Sequence, residues 1–364
     1  MTPGGIDPAQ RIPVALLTGF LGSGKTSLLN RWLADPALAD AAVVVNELGE
    51  IGIDHALIAS SSDNTIELST GCLCCTVSGD LVDTLRDLYV RRTRGEIRAF
   101  SRVLVETTGM ADPGPVVQVL MTQPVATRYR LCDVISTVDA VNGEGTLDRH
   151  AEAVKQVAVA DQLVLTKVDL ATEAARLAAL ERCRGLNPAA EIFQSRPQSC
   201  PSVSDVLRDR GYVPHMNAAQ ATQWLDLDAF EGVGAAPGYL GQRKYRDAAR
   251  HDAGIRSFVL RLERPIAWEH LAAWLDALTM AHPEQLLRVK GIFSVQGRRK
   301  PLAVHAVQSL FHPPTELEDW PDDDRSSRVV FITKDLSREY VEEVLAVILS
   351  RAQAASPASH PLEQ

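Results

Sequence analysis

Two short segments carry residues whose types and spacing could do chemistry. The first is GFLGSGKT, residues 19–26, which matches the pattern G-x-x-x-x-G-K-[ST]. The second is Cys72-Leu73-Cys74-Cys75, in which three thiols fall within four residues. A glycine-rich turn that ends in Lys-Thr cradles phosphate groups, and clustered thiolates ligate a soft or borderline cation. The sequence therefore predicts a nucleotide site and a metal site.

The segment of residues 19–26, called the P-loop below, predicts a task for each of its members. Its glycines let backbone N–H groups turn toward phosphate without a Cβ in the way. Lys25 would neutralise the β- and γ-phosphates, and Thr26 would ligate Mg²⁺. A glycine-rich turn without a nucleotide is the alternative, and the flanking strand and helix patterns disfavour it. The predicted nucleotide-binding residues here are Gly19, Gly22, Ser23, Gly24, Lys25, Thr26 and Ser27.

Two later segments indicate that the nucleotide is GTP. ETTG, residues 106–109, follows a predicted strand, where P-loop proteins place a Mg²⁺-holding carboxylate and the glycine that senses the γ-phosphate. TKVD, residues 166–169, resembles the guanine-reading pattern N-K-x-D. Asp169 can accept hydrogen bonds from guanine N1–H and its amine, and Lys167 can pack its stem on the base. Thr166 replaces the usual asparagine, so we expect one hydrogen bond to the base edge to be weaker or missing.

Met110 follows ETTG, where small GTPases carry the glutamine that orients the attacking water. A thioether cannot accept a strong hydrogen bond from water. We therefore expect slow intrinsic hydrolysis until a partner or metal completes the site; Asp112 is a candidate substitute that the sequence alone does not establish. The residues predicted to carry the reaction are Lys25, Thr26, Glu106 and Gly109, with Mg²⁺ held by Thr26 and Glu106.

The cysteine cluster predicts metal binding on electrostatic grounds. Three adjacent thiolates repel one another, and a divalent cation offsets that cost by deprotonating them. Zn²⁺, Co²⁺ and Cu⁺ accept sulfur ligands, whereas Ca²⁺ and Mg²⁺ do not. Buried structural cysteines and a redox-active pair are the alternatives, and a cluster within one loop favours the metal. The scattered cysteines are expected to be small buried apolar residues: Cys132, Cys183 and Cys200.

Apolar, β-branched runs alternate with helical patterns over residues 12–211, which predicts an α/β doubly wound domain with a mostly parallel sheet. Residues 212–254 are weakly patterned and predict a linker, residues 255–353 predict a smaller α+β domain, and residues 354–364 a flexible tail. The predicted strands are 14–19, 41–46, 64–68, 101–107, 133–140, 161–167, 255–262, 286–297, 299–312 and 327–334. The predicted helices include 27–35, 80–90, 171–183, 268–279 and 338–353. In residues 320–328 we expect a loop whose carboxylates and arginines fix one another.

Composition excludes several classes of protein. Hydrophobic residues at 46% and charged residues at 23% are typical of a globular chain. A net charge of −9 argues against general nucleic-acid binding. No apolar run approaches the ~20 residues that span a bilayer, and the first residues lack a signal-peptide pattern. We therefore expect a cytoplasmic protein that binds neither nucleic acid nor membrane.

The motifs together resemble the CobW-type family of P-loop GTPases, in which glutamate stands at the Walker B position. The resemblance is carried by GFLGSGKTSLLN, NELGEIGID, GCLCCTVSGDL, ETTGMADP, ADQLVLTKVDL, RVKGIF and WPDDDRSSRVVFI. It implies a P-loop GTPase fold with a CobW-type C-terminal domain, GTPase activity, binding of zinc or cobalt, and delivery of the metal to a client metalloprotein or a cobalamin-pathway component. It also implies Glu50 as an extra metal ligand beside Cys72, Cys74 and Cys75. Some relatives carry another acidic residue at the position of Val45 and a His-rich tract near His251. This chain lacks both of these features.

Two functions stay open at this point, and a third is disfavoured. The first is a GTPase that gates metal transfer, with a homodimer that depends on nucleotide or metal as a further expectation. The second is a metal sensor or storage protein in which GTP is regulatory. A small-molecule kinase is disfavoured by TKVD and by the lack of an evident acceptor site.

Overall fold

The computed structural model describes residues 10–45, 65–67, 76–208, 221, 225, 254–308 and 310–355. These residues divide into an amino-terminal unit, up to residue 208, and a carboxy-terminal unit that contains residues 254–355. No helix in these ranges is long and apolar enough to cross a membrane. The two units are described separately.

The amino-terminal unit is built on a seven-stranded sheet in which every neighbouring pair is parallel. Its strands are β1 (Ile12–Gly19), β2 (Ala41–Val45), β3 (Thr65–Glu67), β4 (Arg102–Glu106), β5 (Tyr129–Asp139), β6 (Gln162–Thr166) and β7 (Glu191–Gln194). They lie in the order β3-β2-β4-β1-β5-β6-β7. The predicted parallel sheet is confirmed, and all seven carboxyl ends meet at one edge. β5 begins at Tyr129 rather than at residue 133, and β7 was not predicted because it is only half-buried and short.

Helices connect these strands. They are α1 (Lys25–Leu33), α2 (Thr76–Arg94), α3 (Pro113–Met121), α4 (Gly143–Arg149), α5 (Ala151–Val159), α6 (Glu173–Leu186) and α7 (Val203–Val206), with 3₁₀ turns at Pro36–Leu38 and Val125–Thr127. Leu28, Leu29 and Trp32 of α1 are buried against β1 and β2. Burial of side chains of this size contributes roughly 1.5–3 kcal/mol each, so α1 is held firmly below the P-loop. Cys132 and Cys183 are buried as predicted, whereas Cys200 is only partly buried.

The carboxy-terminal unit has an antiparallel sheet of six strands. The elements are β8 (Ile255–Leu262), α8 (Trp268–Ala281), β9 (Leu286–Phe293), β10 (Leu302–Val307), β11 (Leu310–Phe311), β12 (Thr315–Glu316), β13 (Ser327–Lys334) and α9 (Arg338–Ala355). The sheet order is β11-β10-β9-β13-β8, with β12 paired to β10. Trp274 of α8 and Phe331 of β13 meet edge to face at 5.7 Å in its core. The predicted α+β unit and its β9–β10 hairpin are confirmed.

The loop before β13 is held by charge, as the sequence predicted. Arg328 donates to both carboxylate oxygens of Asp322, at 2.6 and 2.9 Å. Arg261 donates to Asp324 at 3.0 Å. The guanidinium of Arg328 is almost fully buried, so this bidentate pair is the stronger of the two.

Candidate functional site

The P-loop connects β1 to α1 and closes on itself. Gly24, at φ +91°, precedes the first residue of α1, Lys25. The Lys25 ammonium turns back and donates to the carbonyls of Gly19, at 2.9 Å, and Phe20, at 3.3 Å. A Cβ on Gly19 would lie 2.3 Å from Thr137 Oγ1, so only glycine fits there. The loop therefore places a cation and a helix amino terminus at one point, which is a site for an anion.

A hydroxyl and a carboxylate meet beside that point. Thr26 Oγ1 donates to Glu106 Oε1 at 2.7 Å, although the two residues come from different elements. Glu106 is the last residue of β4 and pairs with Leu17 of β1, which carries it to the P-loop. Glu106 is almost fully buried. Two hard oxygen donors side by side fit Mg²⁺.

Gly109 lies against the P-loop backbone. A Cβ built at Gly109 would be 2.5 Å from Leu21 Cα and 2.6 Å from Leu21 N, so the close approach of the loop after β4 to the P-loop requires glycine at this position. Met110, the next residue, is 64% exposed. Asp112 is already engaged, because it accepts from Gly114 N at the start of α3 and from Lys155 Nζ at 2.5 Å. The structure thus gives Asp112 a helix-capping task rather than the water-orienting one considered from the sequence.

Thr166 binds the P-loop. Its hydroxyl is buried and donates to Ser23 O at 2.6 Å, with Val138 O at 3.3 Å as a second acceptor. The sequence predicted a weaker or missing hydrogen bond from this residue to a base edge. In the structure the hydroxyl joins the end of β6 to the phosphate-binding turn, so the first residue of TKVD acts on the P-loop.

Lys167 and Asp139 form an ion pair that sequence reasoning missed. Lys167 adopts φ +54°, and its ammonium donates to Asp139 Oδ2 at 2.8 Å. Burial works to raise the pKa of Asp139, but hydrogen bonds from Lys167, Val141 N–H and Asn142 outweigh it and hold that pKa below its ordinary value. The signal that could have found Asp139 is its place at the end of β5, next to the strand that ends in TKVD.

Asp169 is exposed in the turn after β6. With Lys25, Thr26, Glu106, Gly109, Thr166 and Lys167, it belongs to the carboxyl edge of the sheet. The structure therefore brings the predicted nucleotide residues of three separate segments to one edge of one sheet. The carboxyl edge of a parallel sheet is where ligands of α/β proteins bind.

The predicted metal ligands Cys72, Cys74, Cys75 and Glu50 lie outside the described residues. Among the residues that are described, no group of three or more His, Cys, Asp and Glu could hold a metal ion. The strands that lead to the predicted ligands are described, however. Val45, the last residue of β2, pairs with Glu67 of β3 on one side and with Glu106 of β4 on the other.

A P-loop between a parallel strand and a helix, with a carboxylate at the end of the adjacent strand, defines a P-loop nucleotide-binding protein. The family models identify which one. The model described as "CobW/HypB/UreG, nucleotide-binding domain" matches residues 13–194. The model described as "Cobalamin synthesis protein cobW C-terminal domain" matches residues 255–349. The chain belongs to the CobW family, as the sequence motifs indicated.

Several relatives are similar over nearly their whole length. The zinc chaperone YjiA of Escherichia coli is 32% identical over 336 residues, which cover 92% of this chain and 98% of that protein. The zinc chaperone CobW of Pseudomonas aeruginosa is 28% identical over 373 residues, covering 93% and 92%. The crystal structure of Zn(II)-bound YjiA GTPase from E. coli matches with a TM-score of 0.69 at 28% identity and covers 93% of this chain and 99% of that one. A Zn(II)-bound triple mutant of the same GTPase matches with a TM-score of 0.70.

Proposed function

We propose that this protein is a GTPase that binds zinc or cobalt through Cys72, Cys74, Cys75 and Glu50 and delivers the metal to a client. The observation that carries the proposal is the register at the carboxyl edge, where the strand that ends in the Mg²⁺-binding carboxylate Glu106 directly adjoins β2. The nucleotide half and the metal half are argued separately below.

The nucleotide half follows from the P-loop contacts. Lys25 holds two carbonyls that phosphate oxygens would replace as acceptors, and the exchange favours a fully charged partner. Thr26 and Glu106 would hold Mg²⁺, which neutralises charge between the β- and γ-phosphates when bound. Lys167, anchored by Asp139, would lay its stem along the base, and Asp169 would accept from guanine. Met110 is exposed and Asp112 is paired with Lys155, so neither orients a water molecule, and we propose a slow intrinsic rate.

The metal half follows from the strand register. Glu50 comes five residues after Val45, and Cys72 comes five residues after Glu67. Val45 and Glu67 are register partners at the ends of neighbouring strands. Five residues reach at most about 18 Å, so both ligand segments start side by side, within reach of each other and of Glu106. A nucleotide-dependent change at Glu106 then has a short route to the metal ligands.

The relatives support this choice of ligand and cargo. Two are named zinc chaperones, and the Zn(II)-bound E. coli variant has one glutamate and two consecutive cysteines replaced by alanine, the residue types assigned here. A Schizosaccharomyces pombe relative, 30% identical over 210 residues, is named a zinc-regulated GTPase metalloprotein activator. That name favours delivery to a metalloprotein over storage or sensing. A cobalamin-pathway component is the other client that the family resemblance implies. Co²⁺ is included because its sulfur and carboxylate chemistry is close to that of Zn²⁺.

The base specificity is tested with Asp169→Asn. The wild type should bind GTP far better than ATP, and the variant should shift its preference toward xanthine nucleotides, whose ring carries a carbonyl where guanine has an amine. Competition of each nucleotide against a fluorescent GDP analogue measures this. Equal affinity of the wild type for ATP and GTP contradicts the assignment of TKVD.

The metal coupling is tested with Co²⁺, whose thiolate-to-metal charge-transfer band reports sulfur ligation specifically. This matters because the E. coli variant without its two cysteines is still Zn(II)-bound, so bound metal alone does not identify the site. We expect Co²⁺ to bind about 5–150-fold more tightly with a GTP analogue than with GDP, and the metal to raise GTP affinity by the same factor. Cys74→Ala should weaken Co²⁺ binding and lose the coupling, and Cys200→Ala, which removes a cysteine outside the cluster, should leave both unchanged. A charge-transfer band that is absent, or that is identical with the GTP analogue and GDP, contradicts the proposed nucleotide-coupled metal site.

A further inference from the structure

The loop after β4, residues 109–112, is held by side chains of α5. Gln156 of α5 is fully buried. Its amide nitrogen donates to Gly109 O at 3.3 Å and to Ala111 O at 2.9 Å, so the two bonds bracket Met110. Both amide hydrogens of the Gln156 side chain therefore form hydrogen bonds to this loop.

The orientation of the Gln156 amide is fixed by chemistry. Both partners are carbonyl oxygens, so the –NH₂ group has to face them, and the reversed amide would place three acceptors together. The oxygen, Oε1, then points away from the loop, and it has no hydrogen-bond partner among the described residues. Gln156 and Ser136, whose buried hydroxyl is likewise without a partner in the described part of the chain, line a cavity of about 170 Å³ beside P-loop residues 20–23. The loop after β4 thus supplies the hydrogen bonds that anchor this amide.

Two further contacts tie this helix and the strand that follows it to the site. Lys155, next to Gln156, pairs with Asp112 at 2.5 Å. The chain continues from α5 into β6, whose last residue, Thr166, donates to Ser23 O of the P-loop. One continuous segment therefore contacts both loops that would flank a γ-phosphate.

We propose that Gln156 is a positioning residue for the γ-phosphate-sensing loop, an inference that rests on the proposed GTPase function. Gly109 already lies against the Leu21 backbone, so the loop cannot move further toward the P-loop. The two hydrogen bonds from Gln156 fix the loop's carbonyls from a second element. The backbone at Gly109 is thereby held by contacts to both Leu21 and Gln156, in the loop that would sense a third phosphate, present in GTP and absent from GDP. The two hydrogen bonds from Gln156 to Gly109 O and Ala111 O are called the clamp below. Loss of the clamp should weaken GTP binding and slow hydrolysis, and it should leave the affinity for GDP nearly unchanged.

The test compares Gln156→Met with Asn187→Leu in the full-length protein. Methionine keeps the length and much of the volume of glutamine but has no donor. Asn187 is a matched control, since it is also a buried amide that donates to backbone carbonyls of α5 and its end (Val157, Ala158 and Ala160), but no bond from it to residues 109–112 is seen. We expect Gln156→Met to lower kcat about 10- to 100-fold and to weaken a non-hydrolysable GTP analogue at least about fivefold, with GDP affinity within about twofold of wild type. Asn187→Leu should lower the unfolding midpoint while its kcat and its ratio of analogue to GDP affinity stay near wild type.

A second variant keeps the test decisive if Gln156→Met does not fold. Gln156→Glu has the shape of glutamine, but its ionised carboxylate meets two carbonyls. Burial raises the pKa of such a group, and its protonated form donates one hydrogen bond. The kcat of Gln156→Glu relative to wild type should therefore recover as the pH falls from about 8 to about 6.

The outcomes separate the two proposals. A wild type that binds GTP but hydrolyses none overturns the proposed GTPase, and the ratio of analogue to GDP affinity still tests the clamp. An unchanged ratio in Gln156→Met, or the same change in Asn187→Leu, overturns the clamp. For Gln156→Glu, a pH profile parallel to wild type overturns it as well.

Discussion

Replacement of Gly109 by alanine tests the contact between the two phosphate loops most directly. The new Cβ would lie 2.5 Å from Leu21 Cα and 2.6 Å from Leu21 N. Ordinary contact between carbon atoms begins at about 3.5 Å, so the two backbones must separate by about 1 Å. Both atoms of Leu21 belong to main chain, which cannot swing aside as a side chain does.

The size of the expected effect follows from that displacement. Leu21 lies between Gly19 and Lys25, so its shift moves the backbone that would cradle phosphate. A misplacement of about 1 Å costs on the order of 100-fold in rate, which corresponds to about 2.7 kcal/mol of transition-state free energy. Overpacking of this kind also lowers the free energy of unfolding by about 1–3 kcal/mol. We therefore expect Gly109→Ala to remain folded at 25 °C and to release phosphate from saturating GTP about 100-fold more slowly.

The control is Gly185→Ala, in α6. A Cβ at Gly185 meets no atom within 4 Å, so alanine should raise the free energy of unfolding by about 0.5–1 kcal/mol and leave hydrolysis unchanged. Phosphate release, thermal unfolding and binding of a fluorescent GDP analogue are measured for both variants. Hydrolysis by Gly109→Ala within about twofold of the wild type would refute the argument, because the close approach of the two backbones would then have no bearing on the reaction.

Three further predictions concern other contacts. Thr166→Val removes the donor to Ser23 O and should lower the free energy of unfolding by about 1–3 kcal/mol, measured by urea denaturation, with weaker GTP binding; unchanged values for both would contradict it. Asp139→Asn removes the ion partner of the half-exposed Lys167 and should weaken guanine nucleotides by about fivefold, or ~1 kcal/mol, in equilibrium binding, while Asp148→Asn, at the exposed pair with Arg182, should not. Burial, followed by nearby positive charge, holds the pKa of His305 well below its usual value. Below pH ~6.5 the unfolded chain therefore binds a proton at His305 that the native chain does not bind. The free energy of unfolding should then fall by up to about 1.4 kcal/mol for each pH unit below that value. Urea midpoints at pH 7.5 and 5.5 measure this, and His305→Gln should flatten the difference. The charged or titratable groups that lower the pKa of His305 are His312, Arg288 and Lys290.

Much of the fold was predictable because the strands of a doubly covered sheet are continuous apolar runs. β2, Ala41–Val45, is buried at every position, and a short run of apolar, β-branched residues is typical of such a strand. The P-loop was predictable for a different reason, since phosphate chemistry fixes both residue types and spacing. β7 escaped prediction because its residues are only half-buried, which leaves the sequence pattern weak.

The parts of the site that the sequence did not reveal are contacts between distant segments. Gln156 stands in KQVAVAD, where a polar residue within a helical pattern gives no sign that it is buried. Its partners are 45 and 47 residues away, so only the packing of α5 on the loop after β4 reveals the clamp. The role of Thr166 was hidden in the same way, because comparison with N-K-x-D directs attention to the base and the acceptor of its hydroxyl is Ser23.

The parallel sheet leaves its amino edge available for engineering. Ile12 N–H donates to Arg128 O and Ser101 N–H donates to Asp40 O, and these bonds tie the starts of neighbouring strands together. Arg92 of α2 donates to Phe100 O, just before β4. Gly95, between α2 and β4, takes φ +70° and has open space around it. The eight residues of β1 extend for about 26 Å, which is the distance from this edge to the P-loop. A fluorescent domain inserted at Gly95 would therefore report on the protein from the far end of the strands, and the insertion should spare nucleotide binding.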